Sequence, residues 1–241
     1  MIPLRDDNPT ATPPYVTIGF IVACVLAFLW QLSLGEKGFE AAVVALGVIP
    51  VTLLGTESLP PSLYLVPPTA TLFTSMFLHG GFMHLAGNML YLWIFGNNVE
   101  DAMGRVRFVI FYVLSGLAAA FAQALPNPDS TIPMIGASGA ISGVLGAYLL
   151  LYPRARVLVL IPLGAFSRIV YVPAMFVLGF WFVLQLISSA LADPGQGGVA
   201  FGAHIGGFVA GMVLIPLFKR RDVRLFAPAM PHRHSMYDED D

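Results

Sequence analysis

Long stretches of this chain carry no charge at all. Residues 58–99 contain no Asp, Glu, Lys or Arg, and neither do 108–128, 130–153, 169–192 or 194–218. An apolar window of ~20 residues wound as a helix spans the ~30 Å hydrocarbon core of a bilayer. Windows of this kind, repeated along 241 residues, point to a helical protein that crosses a membrane several times. The composition agrees: 57% of the residues are hydrophobic and 11% are charged, where a soluble domain carries about 25% charged residues. A membrane β-barrel would instead read as segments of about ten residues with alternating polarity.

Six spans are expected, near 15–34, 82–99, 106–125, 137–152, 169–190 and 201–218. The expected fold class is therefore all-α, a polytopic membrane protein with a bundle of six transmembrane helices over 15–218. A segment 1–14 precedes the bundle and a polar, disordered tail 219–241 follows it. The N-terminus lacks the ordered basic, apolar and cleavage regions of a signal peptide, so the first span is expected to be retained. Between the first two spans, 35–81 is apolar but broken by Pro50, Pro60, Pro61, Pro67 and Pro68. Its helical piece near 39–48 is too short to cross a bilayer, which makes 35–81 an interfacial or re-entrant loop.

Basic residues orient the bundle. With an even number of spans, Arg5, Arg105, Arg107, Arg154, Arg156, Arg168, Lys219, Arg220, Arg221, Arg224 and Arg233 share one side, and Lys37 stands alone on the other. Cytoplasmic loops carry the excess of Lys and Arg, so both termini are expected in the cytoplasm. No internal repeat suggests a transporter, and no long basic run suggests nucleic acid. The single Cys24 allows neither an intrachain disulfide nor a cysteine metal site.

Polar side chains inside apolar spans are the candidates for chemistry, because they face the bundle interior. Three clusters hold them: "HGGFMHLAGN" (79–88), "GASG" (136–139) and "FGAHIGG" (201–207). His84 and Asn88, four apart, share a helix face and offer donors to one spot, or a helix–helix hydrogen bond. Ser138 stands between glycines, as in many close-packed membrane helices. It also opens a short span, where unpaired N–H groups and the positive dipole end favour a developing oxyanion. His204, beside a glycine-rich helix face, is either a structural partner or a general base. No HExxH motif is present, and every Asp lies outside the spans, which disfavours metal and aspartyl hydrolysis. His79 and His84 fall ~140° apart around a helix, a poor pair of ligands.

Taken in order, these three motifs resemble the rhomboid family of intramembrane serine proteases. The resemblance implies a rhomboid-like six-helix bundle and a Ser–His dyad, with Ser138 as nucleophile and His204 as general base. It implies an oxyanion hole from the backbone N–H of Ser138 and the side chains of His84 and Asn88. His79 and Glu100 map onto structural positions, Glu100 tying helix ends together. The substrates implied are single-span membrane proteins in a lipid bilayer, cut near its non-cytoplasmic face, with no cofactor. The compact layout looks like that of a bacterial inner-membrane member. The rival is a rhomboid-like scaffold that binds transmembrane helices without cutting them. Two features depart from the family pattern. The Trp-Arg pair of the first loop is absent, which implies a different anchoring of that loop, and Val199 replaces a glycine before the Ala-His pair. Without an aspartate to orient His204, Ser142 is expected beneath its ring. The Gly-rich loop 191–200 is expected to cap the water-filled cavity that Ser138 needs.

Overall fold

The computed structural model describes residues 1–55, 58, 60, 63, 65–162, 166–192 and 198–228. A short strand β1 (Ile2–Asp6) leads into α1 (Tyr15–Ser33), and three short helices follow: α2 (Gly35–Leu46), α3 (Pro50–Leu53) and α4 (Pro68–Thr74). Then come α5 (Phe82–Met103), α6 (Arg105–Ala124) and α7 (Ser138–Leu151). Strands β2 (Arg156–Ile161) and β3 (Arg168–Pro173) precede α8 (Ala174–Leu191) and α9 (Phe201–Phe218). Among the described residues, α1, α6, α8 and α9 are long and apolar enough to cross a membrane. At 14 residues α7 is shorter, reaching about 21 Å. The 22 residues of α5 end in a polar stretch with Asn97, Asn98, Glu100 and Asp101.

The helix bounds agree closely with the expected segments for α1, α6, α7 and α9, whereas α5 runs on to Met103. The fifth needs correction. Residues 169–173 are not helical but form most of β3, and the helix begins at Ala174. Ile169, Val170 and Val172 are β-branched, and a residue before proline is held extended, so Pro173 ends a strand and starts a helix.

The sheet is antiparallel in the order β1-β2-β3. Ile2 pairs with Leu160 and Asp6 with Val157, while Val157 also faces Val172 across the other edge. Alternate residues of β2, Val157 and Val159, are fully buried against the bundle. This end of the molecule gathers the start of α6 and the end of α9, because Arg107 reaches the carbonyl of Lys219 and Arg220 N–H donates to Ala102. It therefore collects most of the basic residues.

At the centre, Ala140 to Tyr148 of α7 are all buried. Lipid supplies no hydrophobic drive between helices, so close packing of small residues must hold the bundle together. A Cβ on Gly207 would run into the carbonyl of Gly139, and one on Gly211 into that of Gly143. These contacts bring α9 against α7 backbone to backbone. The apolar residues left outside, such as Leu26 and Leu29 on α1 or Phe176 and Phe180 on α8, are exposed and suit a lipid-facing surface.

Polar groups tie the helices at both ends. The Glu100 carboxylate of α5, 2% exposed, accepts hydrogen bonds from the N–H groups of Val16 and Thr17 (3.0 and 2.8 Å) and from the Thr17 hydroxyl (2.8 Å). It thus caps the first turn of α1 from a neighbouring helix. At the other end, buried Gln31 accepts from the His79 N–H (3.0 Å) and donates to its carbonyl (3.3 Å). Val48 and Met134 form an isolated bridge, and Gly136 N–H donates to the Ser75 carbonyl (2.9 Å). The segment between α1 and α5 is therefore anchored onto the loop that leads into α7.

Candidate active site

Because successive long helices alternate in direction, α5, α7 and α9 all begin at the end opposite the sheet. Their first turns surround a cavity of about 1120 Å³ whose wall includes His84, Asn88, Ser138 and His204. The three sequence clusters thus meet in one place, although His84 and His204 are 120 positions apart in the chain. Trp181 of α8 and Gln123 of α6 also line it.

Ser138 is the first residue of α7, so its backbone N–H lies among those that have no partner inside the helix. Gly136 enters the helix at φ +122°, a backbone conformation that favours glycine. The space beside it is filled: a Cβ there would lie 2.8 Å from Nε2 of His84 and 3.6 Å from Oγ of Ser138. The imidazole edge and the hydroxyl therefore flank a single point.

The hydrogen bonds of each histidine select its tautomer. Nδ1 of His84 lies 3.2 Å from the Gly80 N–H and accepts from it. Its proton accordingly sits on Nε2, the nitrogen turned toward Gly136. Asn88 spends one amide N–H on the His84 carbonyl one turn back (3.0 Å) and keeps the second.

For His204 the partner is Gln185 of α8, whose Oε1 lies 2.8 Å from Nδ1. The Gln185 amide nitrogen donates to the Trp181 carbonyl at 3.4 Å, which leaves the oxygen facing the ring. Nδ1 then carries the proton, and Nε2 keeps its lone pair as a base. The Trp181 ring lies 5.8 Å from the imidazole at 34°, and Phe201 meets it edge-on at 6.4 Å.

Two expectations about these side chains change. Ser142 does not hold His204; the residue is 1% exposed and its hydroxyl donates to the Ser138 carbonyl at 2.7 Å, the back-bond that serine commonly makes in membrane helices. His79 does not lie around a helix from His84, because α5 starts only at Phe82. The chain folds back instead, and the two rings stand 5.1 Å apart. Among the described residues, no group of three or more His, Cys, Asp or Glu is placed to hold a metal ion. The centre of the proposed capping loop, 193–197, lies outside the described residues, as does most of the tail, 229–241.

Sequence reasoning passed over three glutamines. Gln185 meets His204, Gln31 holds His79, and Gln123 accepts from the Ala203 N–H at the start of α9 (3.2 Å). Each is a lone amide within an apolar helix, and that was the signal available.

Comparison with known proteins identifies the architecture. The rhomboid domain family model matches residues 68–221, more than half of the chain. The chain belongs to the rhomboid family. It is 34% identical over 140 residues to rhomboid protease GluP of Bacillus subtilis (strain 168), covering 58% of this chain and 24% of that protein. It is 33% identical over 147 residues to the mitochondrial rhomboid protein 1 of Saccharomyces cerevisiae, covering 58% and 39%. Against RHOMBOID-like protein 5 of Arabidopsis thaliana it is 40% identical over 78 residues, 32% of this chain and 25% of that one. The matched stretches thus span well under two thirds of these relatives. In this rhomboid chain the matched region begins at α4 and holds all three polar clusters.

Proposed function

We propose that this rhomboid-family chain is an intramembrane serine endopeptidase, with Ser138 as nucleophile and His204 as general base. The observation that carries the reading is the shared cavity wall: a serine at the unpaired start of α7 and a histidine whose Nδ1 is already engaged. In this scheme the Ser138 hydroxyl attacks the scissile carbonyl carbon and passes its proton to Nε2 of His204. The oxyanion takes hydrogen bonds from the Ser138 N–H, the Nε2–H of His84 and the free amide N–H of Asn88. The imidazolium then protonates the leaving amine, and water hydrolyses the acyl-enzyme by the reverse relay.

The substrates are transmembrane segments of other proteins, reaching the cavity from the bilayer. Six spans, α1 and α5 to α9, make up a single domain over 15–218, flanked by 1–14 and 219–241. The basic residues at the sheet end support an orientation with that end and both termini in the cytoplasm and the cavity toward the opposite face. A bacterial cell membrane fits this compact layout. The printed name of the Bacillus subtilis relative, a protease, supports the same reading.

The test needs no substrate. Purified protein is treated with a fluorophosphonate probe and the adduct is mapped. Labelling at Ser138 in the wild type, lost in Ser138→Ala and His204→Ala, is the expected result. A folded wild type that neither labels nor cuts a panel of transmembrane substrates is a scaffold, and the proposal fails.

A further inference from the structure

Gln185 has no counterpart among the motifs that suggested the dyad, yet it makes the only hydrogen bond to the His204 ring among the described residues. We infer that Gln185 is a positioning residue that holds His204 in the tautomer and orientation a general base requires. The inference rests on the protease reading above. Three observations support it. The Oε1···Nδ1 distance of 2.8 Å is that of a well-formed hydrogen bond. The amide is itself oriented through the Trp181 carbonyl. Trp181 and Gln185 are four apart on α8, so one helix face supplies both the ring tilted against the imidazole and the acceptor at its Nδ1.

The chemistry follows from the proton inventory. Neutral imidazole carries one N–H. With the proton held on Nδ1, Nε2 is free to take the Ser138 proton. With the proton on Nε2, the same ring presents a donor to the serine and is no base. When His204 becomes imidazolium, the Gln185 carbonyl keeps its Nδ1–H satisfied.

The placement adds a consequence. Phe180, Val183, Leu184, Leu186 and Ile187 of α8 are all exposed, and its buried residues lie near its start. Gln185 therefore rides on a loosely covered part of the bundle. A shift of α8 away from α9 leaves His204 without its acceptor, so the base is competent only while α8 is docked.

Two readouts on the full chain in detergent test this. Nitrogen-15 NMR of histidine-labelled protein reports which ring nitrogen of His204 is protonated, with His204→Ala identifying the signal. The wild type is expected to show protonated Nδ1. Gln185→Met, similar in shape but with no acceptor, is expected to shift the proton toward Nε2 and to slow fluorophosphonate labelling of Ser138 about 10- to 100-fold, part of the ~10² to 10⁴ that a positioned general base supplies. Gln185→Glu, which keeps an acceptor oxygen, is expected to retain the wild-type tautomer and most of the labelling rate. An unchanged tautomer and rate in Gln185→Met, with Ser138 still labelling, overturns the role of Gln185 and leaves the dyad standing. A folded wild type that never labels at Ser138 overturns the protease reading, and the positioning role with it.

Discussion

Gly136 and His84 are matched in direct contact: the space where a Cβ of residue 136 would stand is bounded by Nε2 of His84 at 2.8 Å. The loop into α7 and the first turn of α5 therefore constrain one another. At φ +122° a side chain also adds backbone strain of about 1–3 kcal/mol.

Gly136→Ala should displace the His84 ring and slow labelling of Ser138 by roughly tenfold or more. His84→Ala, which removes a donor outright, should cost about 10²-fold or more. Probe labelling rates, compared at equal thermal stability, decide both. A Gly136→Ala protein that labels at the wild-type rate contradicts the match.

The α7–α9 contact makes a graded prediction. Val at Gly207 must push the helices apart where a Cβ already meets the Gly139 carbonyl, costing about 1–3 kcal/mol. Gly211→Val meets the Gly143 carbonyl one turn farther from the cavity. Both variants should lower the melting temperature similarly, but Gly207→Val should slow labelling more, since Gly207 is three residues from His204. Equal labelling losses would show that the two contacts matter to stability alone.

Glu100 has a purely structural prediction. Removing its carboxylate strands the N–H groups of Val16 and Thr17 and the Thr17 hydroxyl. Glu100→Ala should destabilise the protein by about 2–4 kcal/mol, read as a lower unfolding temperature in detergent. Labelling of Ser138 at a temperature where the variant is folded should be unaffected, because Glu100 lies at the far end of α5.

The sheet end should respond to pH through Asp6. Its carboxyl, which accepts from the Tyr148 hydroxyl at 2.6 Å, is pushed up from 3.8 to about 6, chiefly by burial and partly offset by that hydrogen bond. The docked strand thus binds the proton more tightly than the free strand does. This contribution to docking of β1 is fully present below about pH 4 and is lost as pH rises through about 6. Hydrogen exchange at the amides of Ile2, Leu4, Arg5 and Asp6, corrected for the intrinsic rate, should show stronger protection at about pH 4.5 than at about pH 7.5. Asp6→Asn should flatten that difference; protection in the wild type that rises with pH would contradict it.

Of the residues that line the candidate cavity, His84, Asn88, Ser138 and His204 were legible because hydrocarbon makes polar residues conspicuous. The anchoring of 35–81 was not, since it runs through single pairings such as Val48 with Met134 and Gln31 with His79. The sheet was overlooked because "RVLVLI" and "RIVYVP" are as apolar as the helices they adjoin, and hydropathy does not register pleating.

What the sequence determined by itself was the helical bundle and the identity of its polar residues, because the bilayer imposes length and charge rules on each segment separately. Which nitrogen of each histidine carries the proton depends on partners that no local rule supplies. Gly80 sets it for His84 and Gln185, 19 positions before His204 and on another helix, sets it there. A hydrogen bond acts over about 3 Å, and only the packing of α8 against α9 brings those two side chains within that distance.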